Sequence, residues 1–99
     1  MPLRLRFAPL AERDLEEIGR YIARDNPREA GQFLTRIKDK CQDIAATPLI
    51  GRERDDMGRN VRSFPLGRYL IFYRVMGDDV VVVRVLHGAR NLPDTFRAK

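Results

Sequence analysis

The chain has 99 residues, 43% hydrophobic and 33% charged, with a single cysteine and a single histidine. That suffices for one modest core and not for two, so residues 1–99 are read as one domain. No apolar run approaches the ~20 residues that span a bilayer, and the opening MPLRLRF has neither the apolar region nor the cleavage site of a secretory signal. A lone Cys41 closes no internal disulfide, and the expected setting is a reducing cytoplasm with no membrane role.

The net charge of +5 is unevenly spread: residues 1–60 carry 12 basic and 11 acidic side chains, residues 61–99 carry 7 and 3. The positive field belongs to the later part and suits an anionic partner, either nucleic acid or an acidic protein segment.

In chain order, Leu3, Leu5 and Phe7 alternate with Arg4 and Arg6, the pattern of a short half-buried strand. From Ala8 to about Arg24 the positions Ala11, Leu15, Ile18 and Ile22 recur at helical spacing, with Pro9 tolerated in the first turn. Acidic Glu12, Asp14, Glu16 and Glu17 precede basic Arg20 and Arg24, an order that suits the helix dipole and pairs Glu16 with Arg20. Asn26 as N-cap and Pro27 at the first helical position open a second helix to about Ala46. Its stripe is Ala30, Phe33, Leu34, Ile37, Cys41, Ile44 and Ala45, and Pro48 follows its end. Cys41 on that stripe reads as a structural thiol. Residues 47–60, with Gly51, Gly58 and the charged run Arg52 to Asp56, read as an exposed loop.

Three apolar runs follow. Val61 to Leu66 turns at Gly67, and the longer runs on either side of Gly77-Asp78 read as a hairpin with a two-residue loop. Such a loop pairs Val75 with Val80, Tyr73 with Val82 and Ile71 with Arg84. One face then carries Leu70, Phe72, Val81, Val83 and Val85 and is expected to receive the helices. The other carries Tyr69, Ile71, Tyr73, Val75, Val80, Val82, Arg84 and Leu86, and is too apolar to stay bare. A C-terminal turn near Asp94 to Arg97, a partner chain, or both should cover it. The class is α+β: β-α-α-β-β-β with a short C-terminal helix, an antiparallel sheet packed against an α-helical hairpin.

Phosphate-loop, dinucleotide and zinc patterns are missing, so no cofactor and no metal is expected. His87, at the end of the last strand, reads either as a proton-transfer group or as a strand-end ring bonded to backbone near Gly88. Arg62 and Arg84 read either as phosphate clamps or as partners of acidic side chains.

NVRSFPLGRYLIFYRV and VVVVRVLHGARN, with the opening RLRFAPLAERDLEEIGRYIARDNPREA, resemble the ParE branch of the RelE/ParE toxin superfamily over nearly the full chain. The resemblance implies a toxin of a type II toxin–antitoxin system that poisons DNA gyrase without being an enzyme. It also implies a ParD-type antitoxin whose C-terminal segment wraps the toxin in a hetero-oligomer, with operator DNA bound only through that antitoxin. Antitoxin contacts are expected at Leu15, Ile18, Ile22, Tyr69, Ile71, Tyr73 and Arg84, and gyrase contacts at Arg90, Asn91, Phe96 and Arg97. The alternative is a RelE-type ribosome-dependent mRNA endonuclease using Arg62, His87 and Arg90. Against it, the position resembling that group's C-terminal tyrosine is Phe96, which cannot transfer a proton, and no lysine lies between Lys40 and Lys99. A further alternative is a non-toxic DNA-binding or interaction module, although no helix presents a run of basic residues to a groove.

Overall fold

The computed structural model describes residues 2–89 and 92–93. Strand β1 (Arg4–Phe7) leads into helices α1 (Pro9–Ala23) and α2 (Pro27–Ala46). A two-residue strand β2 (Arg52–Glu53) and a 3-10 turn (Asp55–Met57) connect to β3 (Val61–Leu66), β4 (Tyr69–Met76) and β5 (Asp79–His87). The five strands form one sheet in the order β1-β5-β4-β3-β2. The three-strand meander is antiparallel, whereas β1 joins β5 in parallel, from Arg4 beside Asp79 to Phe7 beside Val82.

The helix boundaries follow local chemistry. The Asn26 side chain accepts the Glu29 N–H at 3.1 Å, satisfying one of the free donors of the first turn. At α1 no side chain caps the start; instead Pro9 removes one donor, and the Ala8 N–H reaches the Val82 carbonyl at 2.9 Å, tying the helix to the sheet. Gly67 and Gly77 both have φ near +60°, which the two hairpin turns require and a Cβ would oppose.

The α1–α2 hairpin covers one face of the sheet. The core between them holds Ala11, Ile18, Ile37, Cys41 and Ile44 from the helices and Ile71, Tyr73, Val80, Val82 and Val85 from the strands. This reverses the expected faces except at Val85 and Leu86, which lie where expected. The hairpin pairs Val75 with Val80 and Tyr73 with Val82 as expected, but then slips: Phe72 faces Arg84 and Ile71 faces Val85, leaving Val83 without a partner. This one-residue bulge lets Val82 and Val85 both point at the helices, which strict alternation forbids. Leu70, Phe72 and Val83 lie on the opposite face with Met57, Val61 and Leu86, where Leu92 also packs.

The opposite face is therefore partly covered by the chain itself. Residues 47–60 form more than an exposed loop: Gly51 and Met57 are buried, and the Arg54 guanidinium lies 5.4 Å from the Phe72 ring centroid. The helical turn expected at Asp94 to Arg97 lies outside the described residues.

Candidate functional site

Two regions bring polar chemistry together, one at each end of β4. At the end away from the β3–β4 turn, the Tyr73 hydroxyl donates to the Pro48 carbonyl at 2.8 Å and accepts the Gly51 N–H at 2.8 Å. Burial raises the Tyr73 phenol above its ordinary pKa, and the Gly51 hydrogen bond opposes that rise. Across the ladder, Arg62 donates to the carbonyls of Gly51 at 2.8 Å and Leu49 at 3.4 Å, and to Glu53 at 3.3 Å. This fork pins the segment that follows α2. Arg62 is a fastening, its donors directed at two backbone carbonyls and the Glu53 carboxylate.

At the other end, β5 runs on past its last pairing with β1. The Asp14 carboxylate fills the gap. It accepts the Arg84 guanidinium bidentately at 2.8 and 2.9 Å and the Val85 N–H at 3.0 Å. Asp14 and Arg84 are only 7% and 8% exposed, so the ion pair sits inside the core. Beyond them a cleft of about 620 Å³ opens between α1 and the ends of β4 and β5. Ile18, Tyr69 and His87 lie deep in it, and Arg20, Tyr21, Arg24 and Arg68 form its rim. Tyr69 packs edge-on against His87, with ring centroids 5.4 Å apart. The Ala89 N–H donates to His87 Nδ1 at 3.1 Å.

The sequence-predicted residues are thus divided. Arg62 stands beside Tyr73, and His87 beside Tyr69, four positions or about 13 Å further along β4. They do not share a phosphate-sized site, and each is fixed by local backbone. Arg90, Asn91, Phe96 and Arg97 lie outside the described residues. Of the expected antitoxin contacts, Ile71, Tyr73 and Arg84 are buried inside the chain. Leu15 and Ile22 are half-buried against the chain's own core, whereas Ile18 and Tyr69 reach the cleft. The reading of Arg84 as an ion-pair partner holds, with Asp14 as its acid.

Asp14 is the residue that sequence reasoning missed, grouped there only with the acids that suit the helix dipole. The signal was present: it stands three residues after Ala11 and four before Ile18, on the buried stripe. Among the described residues, no cluster of three or more His, Cys, Asp or Glu is placed to hold a metal ion. Nor is any helix long and apolar enough to cross a membrane.

A helical hairpin on one face of a meander sheet, with β1 added in parallel at its edge, defines the class as a RelE/ParE-type toxin fold. The chain superposes on a protein of the chromosomal ParDE toxin–antitoxin system of P. aeruginosa with a TM-score of 0.73, covering 86% of this chain and 95% of that one. At 20% identity that likeness is one of fold. The profile of the ParE toxin of type II toxin–antitoxin systems, parDE, matches residues 5–92, and the chain belongs to this family. It is 34% identical over 80 residues to Toxin ParE3 of Caulobacter vibrioides, covering 80% of each chain. With Toxin ParE1 of Mycobacterium tuberculosis it shares 36% over 89 residues, covering 88% of this chain and 91% of that one.

Proposed function

We propose that this ParE-family toxin stops growth by binding DNA gyrase, without catalysing a reaction of its own, and that a ParD-type antitoxin neutralises it by direct contact. The observation that carries this reading is the separation of Arg62 from His87, two of the groups a nuclease would need. Arg62 is committed to the carbonyls of Leu49 and Gly51 and to Glu53. The Nδ1 of His87 is committed to Ala89, at the other end of β4. General acid–base cleavage of a phosphodiester needs a proton donor and a cationic clamp converging within hydrogen-bond reach of one phosphate. A toxin that works by occupying its target needs only a surface. Arg90, Asn91, Phe96 and Arg97 are the candidates for the gyrase-facing part.

The test is expression of the chain without its antitoxin, following plasmid supercoiling and the SOS response beside mRNA integrity. Loss of supercoiling and SOS induction with intact mRNA is the expected result. Rapid mRNA cleavage with normal supercoiling would establish the endonuclease instead.

A further inference from the structure

The sheet face turned away from the helices carries a row of arginines that neither polar region above uses. Arg6 of β1, Val81 of β5 and Arg74 of β4 stand side by side on one rung, in register with Val61 of β3. Residues directly opposite one another across a sheet share a face, and Val61 belongs to the face away from the helices. Arg6 and Arg74 are therefore two strand spacings, roughly 10 Å, apart at the backbone. One rung away on the same face, Arg4 stands beside Asp79.

The Asp79 carboxylate fixes one half of this row. It accepts Arg4 Nε at 2.9 Å and Arg6 Nη1 at 3.1 Å. Its own side chain is 10% exposed, whereas those of the two arginines are 80% and 66% exposed. One buried acid thus orients two exposed guanidinium groups, whose other N–H groups make no further hydrogen bond among the described residues. Arg74 spends its Nε on the Arg59 carbonyl at 3.2 Å and has no ion pair among the described residues. With Arg54, which pairs with Asp56 at 2.9 Å, the face sets four arginines against the carboxylates of Asp56 and Asp79.

We infer that this face binds the phosphate backbone of duplex DNA, with one phosphate each at Arg4, Arg6 and Arg74, without reading sequence. The planar guanidinium fork matches phosphate oxygens, and contacts of this kind position a duplex without touching base edges. Three features select this ligand. Phe72, the aromatic side chain in the cluster on this face, is fully buried, so it is no platform for stacking an unpaired base. Val81 and Arg74 have paired strands on both sides, so the middle of the row offers no free backbone to an acidic peptide. A single small anion cannot span the roughly 10 Å between Arg6 and Arg74. This inference goes beyond the gyrase reading and does not depend on it.

The test follows binding of a labelled duplex of about 20 base pairs and arbitrary sequence to the full chain, free of antitoxin, between about 50 and 200 mM salt. Three phosphate contacts predict that this rise in salt weakens binding about fortyfold. In R6Q/R74Q, which leaves one contact, the same rise should weaken it only about fourfold, from an affinity already at least tenfold lower at the low salt. A charge-matched control on the exposed surface of α2, R28Q/K38Q, should keep the parent's salt response. The single variant R4Q leaves Arg6 on Asp79 and should respond about tenfold, which keeps the test open if the double variant melts well below the parent. Absence of duplex binding by the parent, or the same salt response in all the variants, would overturn the site. Tighter binding of a single strand than of the duplex would replace it with a site for unpaired bases. Polyglutamate bound as tightly as the duplex, and lost in R6Q/R74Q, would replace DNA with an acidic protein.

Discussion

The two ends of β4 show opposite uses of the same residue types. At the Tyr73 end an arginine and a tyrosine direct their polar atoms at backbone and at Glu53, and the segment from Pro48 to Glu53 is closed over them. At the Tyr69 end Arg24, Arg68 and Tyr21 stand at a rim, and among the described residues neither arginine has an ion pair. The difference comes from what lies opposite. Residues 47–53 return across β3 and offer carbonyls to Arg62, while β1 ends short of His87 and offers nothing to the other end. An arginine beside an apolar strand is therefore not by itself a mark of function; the availability of its donors is.

Removing the group that separates core from cleft should have the largest effect. Asp14→Ala removes the bidentate acceptor of the buried Arg84 guanidinium and the acceptor of the Val85 N–H. It should cost about 3–5 kcal/mol in denaturant unfolding. At the closed end, a Cβ on Gly51 would run into the Tyr73 ring, so Gly51→Ala should cost about 1–3 kcal/mol and speed amide exchange in the segment that follows α2. Equal exchange in the variant and parent would show that this end is held by something other than Tyr73.

The core shared by both ends has an alkaline weakness. Burial pushes the Cys41 thiol up from its usual 9.0 to about 12. Between those values the unfolded chain has lost a proton that the folded chain keeps, so stability falls as pH rises, by up to about 1.4 kcal/mol per pH unit. A thermal melt series from pH 8 upward should show this slope, and Cys41→Ala should flatten it. Removing only the hydroxyl, Tyr73→Phe, should cost about 1 kcal/mol. Arg20→Ala at the open rim should shift stability by less than about 0.5 kcal/mol, because its exposed pair with Glu16 contributes little. A larger loss there would mean that the rim is structural and would blur the contrast between the ends.

Much of this architecture is legible in the residues. Asn26 and Pro27 mark the start of α2, and Gly77-Asp78 marks the tight turn whose first two cross-strand pairs follow from its length. The faces of the sheet do not follow, because Val80 to Val83 are identical side chains and a bulge among them leaves no trace in an apolar pattern. Strand β1 reads as a strand, but its parallel place beside β5 depends on long-range packing. Within the site, the arginines of the cleft are visible as charges, and that Arg24 and Arg68 make no ion pair among the described residues is a property of the fold alone. His87 bonding to backbone just past its own strand is the local reading that the structure supports.

The partnership of β1 with β5 also sets when the protein can exist. Arg4 and Asp79 are separated by 75 positions and bonded at 2.9 Å. At the ~5–20 residues per second of synthesis, Asp79 follows Arg4 by on the order of 4–15 s. Throughout that interval α1 and α2 have no sheet to cover, Asp14 has no arginine, and β1 has no neighbour. Contacts so distant along the chain form slowly and nearly together. The nascent chain thus gains its core, its cleft and its open strand edge in one late event, and a chain interrupted before β5 has none of the three.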